Sequence, residues 1–173
     1  MKIYDGSESA DSEGTTPERI KVGIAEYEVT ADGATLTTSG LGSCVGVALY
    51  DEHSGRAGLV HVMLPAAEEV DDGKPAKFAD TGTELLIEEL EAIGANKRSL
   101  EAKIAGGSDM LDFSEGGSGI GDRNVDQVKT TLSEHNISLT GEDVGGDHGR
   151  SVRLKASTGD LVVKSANRQD RTL

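Results

Sequence analysis

The chain has 173 residues, enough for one domain with a sizeable core. Its 17 Lys and Arg against 31 Asp and Glu give a formal net charge of −14, which argues against a nucleic-acid partner or docking on an anionic membrane, since both need a basic surface. No apolar run approaches the ~20 residues of a membrane-spanning helix, and the single cysteine, Cys44, excludes an internal disulfide and points to a reducing, cytoplasmic setting.

Residues 1–18 are rich in Ser, Glu, Asp, Gly and Thr and bury too little apolar area to offset ordering entropy. They are expected to form a disordered acidic leader. One domain over 19–165 and a frayed polar tail over 166–173 follow. Val22 to Val29 alternates and predicts a strand. Asp32-Gly33 marks a turn, and Thr35 to Thr38 a short strand that enters the small-residue loop Ser39–Ser43. Two apolar runs, Cys44 to Tyr50 and Gly58 to Pro65, read as a hairpin. Asp80 or Thr81 caps a predicted helix with Leu85, Leu86, Leu90 and Ile93 on one face, stopped at Gly94.

Leu100 to Ala105 reads as a strand that ends at Gly106-Gly107. After the glycine-rich stretch 114–121, Asn124 is expected to cap a second helix carrying Val125, Val128 and Leu132, ending near Asn136. A strand from Ile137 and a hairpin of Val152 to Lys155 and Leu161 to Lys164 complete the chain. About eight strands and two helices, with hairpins dominant, predict an α+β fold with mixed, largely antiparallel sheets. The dispersed acids, such as Glu26, Glu88, Glu89 and Asp126, read as adaptation to high salt. The charge and short strands favour a monomer.

Two residues stand out chemically. A lone cysteine is most often a small buried hydrophobe. Cys44, however, follows Gly40, Gly42 and Ser43, which let a substrate approach and leave N–H groups free for an oxyanion. His61 sits in an apolar strand, where an imidazole is costly unless hydrogen-bonded. A thiol beside it yields a thiolate–imidazolium pair and an activated nucleophile. Thr38 is the candidate third member that orients the ring, with Thr37 equally polar beside it. His148, in a glycine-rich turn, is the rival base; His53 and His135 receive no role. The glycine loops match neither a P-loop nor a dinucleotide fingerprint. No cofactor and no metal site is expected, for want of a Cys/His cluster.

Several separate stretches together resemble one known family, the chemoreceptor glutamine deamidase CheD family of chemotaxis systems. They are Leu41 to Val47, His61 to Pro65, Lys103 to Gly107, Ile120 to Asn124, Glu142 to Gly146 with Gly149-Arg150, and Thr158-Gly159. The acidic leader looks like an addition, and Asp147-His148 stands where a more neutral pair is expected. The resemblance implies a layered α/β/β sandwich like that of certain deamidating toxins. It also implies catalytic roles for Cys44, His61 and Thr38, and deamidation of glutamines on chemoreceptor cytoplasmic helices through a thioester. A CheC-type phosphatase is the implied partner. Two other readings compete: a non-catalytic module that binds and regulates that phosphatase, and a cysteine peptidase or transglutaminase-like acyl transferase.

Overall fold

The computed structural model describes residues 18–67, 73–109 and 119–173. The predicted leader, the middle of the charged loop after Ala67 and most of the 114–121 stretch lie outside the described residues. Among the described residues ten strands fall into two mixed sheets. The central sheet runs β2 (Tyr27–Thr30), β5 (Arg56–Val62), β4 (Val45–Asp51), β6 (Leu100–Gly106), β7 (Ser138–Val144). The outer sheet runs β1 (Arg19–Lys21), β3 (Thr35–Leu41), β8 (Arg150–Lys155), β9 (Asp160–Ser165), β10 (Arg171–Thr172). Among the described strand pairs β1–β3 and β6–β7 are parallel and the rest antiparallel.

Helices α1 (Ala79–Ala92) and α2 (Ile120–Glu134) cover one face of the central sheet, and the outer sheet covers the other. Two cores result, separated by the central sheet. Val45, Val47 and Leu49 of β4 point to the helices, where Leu86, Leu90, Val128 and Leu132 meet them. Ala48 and the neighbouring Cys44 point the other way, to Leu36, Leu41, Val152 and Leu154 of the outer sheet. β4 is thus buried on both faces, which is why its sequence is a continuous apolar run rather than an alternation. The layered α+β architecture agrees with expectation.

Four local expectations need correction. Val22 to Val29 is not one strand: β1 ends at Lys21 and β2 begins at Tyr27, with Ala25 at a positive φ of 63° between them. The chain uses this turn to step from the outer to the central sheet, so its alternating pattern is read by two sheets in succession. The α1 helix starts at Ala79 with no side-chain cap on Phe78. Asp80 lies inside its first turn, where it accepts from the Ala67 and Thr81 N–H groups. Asn124 is likewise inside α2 rather than at its start. Finally, the last residues are not frayed. β10 pairs with β9, Leu173 exchanges backbone bonds with Leu161, and Lys103 Nζ donates to the Leu173 and Gly159 carbonyls.

Candidate active site

In the β4–β5 ladder Gly46 stands directly opposite His61. Side chains alternate along a strand, so Cys44, two residues before Gly46, shares the inter-sheet face with His61. The two are diagonal neighbours, a placement whose Cα spacing is ~7–8 Å and whose side chains come closer. The structure therefore brings the predicted thiol and imidazole to the same end of the same face. Cys44 is half-buried against the inter-sheet core, while His61 is fully buried.

Thr38 completes the arrangement from the facing sheet. Its Oγ1 lies 2.7 Å from His61 Nδ1 and 2.8 Å from the Val22 carbonyl. A hydroxyl has one proton, and the carbonyl can only accept, so that proton goes to Val22. Thr38 Oγ1 must then accept from Nδ1–H. This assigns the tautomer: Nδ1 carries the hydrogen and Nε2 carries a bare lone pair. Nε2 is buried and has no partner. Among the described residues no donor reaches it, so the Cys44 thiol shares the face of His61 without a hydrogen bond to Nε2 in this structure.

The turn that breaks the expected first strand also holds the histidine. Ala25 N–H donates to the His61 carbonyl, and His61 N–H donates to the Glu26 carbonyl, at 2.9 and 3.0 Å. Val22 at the other end of the same turn anchors Thr38. Thr38→Val keeps the shape but leaves Nδ1–H and the Val22 carbonyl unpaired. It is expected to cost about 1–3 kcal/mol of stability and to lower kcat about tenfold to a hundredfold. Thr38→Ser should restore most of both, as urea unfolding and steady-state rates will show.

The electrostatics favour the uncharged pair. Burial lowers the His61 pKa to about 4, and burial pushes the Cys44 thiol above its ordinary value against a smaller opposing pull from its own backbone N–H. Both shifts favour thiol and neutral imidazole at neutral pH over the thiolate–imidazolium pair expected from the sequence. Among the described residues neither the Ser43 nor the Cys44 N–H makes a hydrogen bond to another residue. These two donors flank the thiol, where a developing oxyanion would sit.

The loop that carries Cys44 is braced from behind. Gly107 N–H donates to the Cys44 carbonyl and Ser108 N–H to the Gly42 carbonyl. A Cβ on Gly106, whose φ is 113°, would collide with the Cys44 carbonyl oxygen, so only glycine allows this approach. Asn124, missed as more than a helix cap, is the keystone of this brace. Fully buried, its Nδ2 donates to Ser43 O and to Met63 O, both at 2.9 Å. One side chain on α2 thus ties the residue before Cys44 to the strand end after His61. Its burial and its distance in sequence left no pattern by which to find this role. Asn124→Ala is expected to lower stability by about 2 kcal/mol. It should also slow alkylation of Cys44 by iodoacetamide about tenfold, a readout that loss of stability alone would not move.

His148 is not brought into this arrangement. Among the described residues no hydrogen bond joins it to Cys44, His61 or Thr38, and it lies 3.9 Å from Asp147. Burial, then Arg150 and Arg168, hold its pKa down. His53 lies in the exposed β4–β5 turn, and His135 bridges Lys97 and Glu84. A groove of about 690 Å3 between Glu91, Lys97 and Asn136 contains none of the three site residues.

A family profile described as "CheD chemotactic sensory transduction" matches residues 63–165, more than half of the chain. The chain belongs to the CheD family. That match begins just after His61, but alignments with CheD relatives reach further. The chain is 62% identical over all 173 residues to a probable chemoreceptor glutamine deamidase CheD of Haloarcula marismortui, covering 100% of both chains. It is 48% identical to the protein of the same description in Natronomonas pharaonis, over 94% of this chain and 97% of that one. It is 42% identical to the chemoreceptor glutamine deamidase CheD of Halalkalibacterium halodurans, over 89% and 98%. Two of these three CheD proteins are haloarchaeal, which accords with the acidic composition. The first alignment spans both whole chains, the segment before residue 18 included.

Proposed function

We propose that the protein is a chemoreceptor glutamine deamidase that works through a Cys44 thioester, with His61 as acid–base and Thr38 as the residue that orients it. The observation that carries this reading is the Thr38–His61 contact, which leaves Nε2 as a bare base on the face that Cys44 shares. The names of the CheD relatives supply the substrate class.

As the Cys44 sulfur bonds to the carboxamide carbon of a receptor glutamine, its proton passes to His61 Nε2. The Ser43 and Cys44 N–H groups receive the oxyanion. His61 then gives that proton to the nitrogen, the C–N bond breaks, and ammonia leaves a thioester. Water enters, His61 Nε2 takes its proton, and the C–S bond breaks. The proton returns to the thiolate, and a glutamate side chain remains. Neither residue needs a net charge between turnovers, in keeping with the pKa directions of both. The new carboxylate changes the charge within a receptor helix bundle and hence its packing.

The protein acts as a cytoplasmic monomer in this reading, with a CheC-type phosphatase as the competing ligand of the same site. The alternative, a purely non-catalytic module for that phosphatase, leaves the buried Thr38–His61 contact without a use. The test is to incubate the full chain with a chemoreceptor cytoplasmic fragment and follow ammonia release together with peptide mass. Conversion of an amide to an acid, with ammonia and no amine-bearing fragment released, supports deamidation over peptidase or transfer chemistry. An unchanged receptor overturns it.

A further inference from the structure

The outward face of the outer sheet contradicts the rest of the molecule. In a chain where acids outnumber bases 31 to 17, a groove of about 280 Å3 crosses β1, β3, β8 and β9 with four cations on its walls and no carboxylate. They are Arg19 and Lys21 on β1, Arg153 on β8 and Lys164 on β9. The register explains the row: Lys21 pairs with Thr37, Thr37 with Arg153, and Ser151 with Lys164. Alternation puts all of these on the face away from the core, while Ile20, Leu36, Val152 and Leu154 point inward.

Two further features show that the groove is not a merely solvated face. Arg153 Nε is buried and has no hydrogen-bond partner. A guanidinium donor out of water without an acceptor is unfavourable, and a carboxylate entering the groove supplies one. Among the described residues Lys164 has only Asp170 at 3.9 Å, the outer limit of an ion pair. The cations are also spread rather than clustered. Four adjacent strands span about 14 Å, too far for one phosphate to engage them together. A helix laid across the strands carries carboxylates at i, i+4 and i+8 over about 12 Å, which fits the row.

We propose that this groove docks an acidic helix of the protein that the enzyme modifies, with a row of Asp and Glu side chains on Lys21, Arg153 and Lys164. That the helix belongs to a chemoreceptor rests on the proposed function. Position supports the link. Thr37 and Ser39 line the groove, Thr38 between them turns inward to His61, and β3 runs on into the loop that carries Cys44. One face of β3 holds the partner while the other orients the base.

The test measures binding of a purified chemoreceptor cytoplasmic fragment to the full-length Cys44→Ala protein by calorimetry, which needs no turnover. Lys21→Gln, Arg153→Gln and Lys164→Gln together are expected to weaken binding about tenfold, the sum of three contact ion pairs. In the active protein the same three raise KM to match, while kcat and Cys44 alkylation stay within about twofold. The exposed Lys21→Gln and Lys164→Gln, made without touching Arg153, should each give about a twofold loss and guard against misfolding. Unchanged binding by the folded triple variant overturns the groove. Failure of the unsubstituted protein to release ammonia overturns the proposed function instead, and the calorimetric comparison still decides the groove.

Discussion

Cys44→Ala is expected to abolish ammonia release from a receptor fragment, with at least about a thousandfold loss in kcat, because the proposed acyl intermediate forms on the chain's one cysteine. Folding should survive. Cys44 is only half-buried and its neighbours are held by the Asn124, Gly107 and Ser108 hydrogen bonds, none of which uses the sulfur. A change in urea stability of about 1 kcal/mol or less is therefore expected for loss of so small a side chain. The unsubstituted thiol carries a second signature. Its pKa is raised by burial and its base is neutral, so the rate of alkylation by iodoacetamide should climb only at alkaline pH. A flat, fast plateau between pH 5 and 7, the mark of a preformed thiolate–imidazolium pair, would contradict the neutral resting state. Retained ammonia release by Cys44→Ala would remove the nucleophile assignment altogether.

The shared placement of Cys44 and His61 was legible in the sequence and its scaffolding was not. Cys44 and His61 declared themselves because each is the wrong residue for its surroundings: a thiol behind three small residues, and an imidazole in an aliphatic run. Strand period and hairpin length then suffice to put them on one face. Thr38 could be chosen over Thr37 only by the family resemblance, since the choice depends on which face of β3 meets the other sheet. What stayed hidden is long-range. Asn124 acts across 81 residues to reach Ser43, and a buried amide inside a helix has no sequence signature that distinguishes this from a cap. The turn at Val22–Glu26 reads as strand because two sheets share its alternation. Ile24, 57% exposed in the middle of that run, marks where the pattern stops meaning burial. The basic groove was invisible for a different reason. Net charge averages over the surface, and Lys21, Arg153 and Lys164 become neighbours only once β1, β8 and β9 are ordered around β3.

His61→Gln separates catalysis from stability in one protein. Loss of the acid–base is expected to lower kcat by about a thousandfold or more, at a pH where the thiol is fully protonated in both proteins. The stability effect follows from linkage. In the folded chain the His61 pKa is about 4 because burial disfavours the cation, whereas the unfolded chain titrates near the ordinary value of ~6.5. Between these values the unfolded state binds a proton that the folded state does not, so acid favours unfolding. The contribution is complete above about pH 6.5 and is lost as the pH falls towards 4, by about 3 kcal/mol across the window. Urea unfolding at fixed ionic strength should therefore weaken steeply over that range. Glutamine carries no titrating proton, so the slope assigned to His61 should vanish in His61→Gln while the carboxylates, common to both proteins, keep theirs. An identical pH profile in the two would mean that His61 is not held neutral by burial. The base would then have to gain its lone pair by losing a proton at each turnover, and the Thr38 contact would orient a cation rather than a ready acceptor.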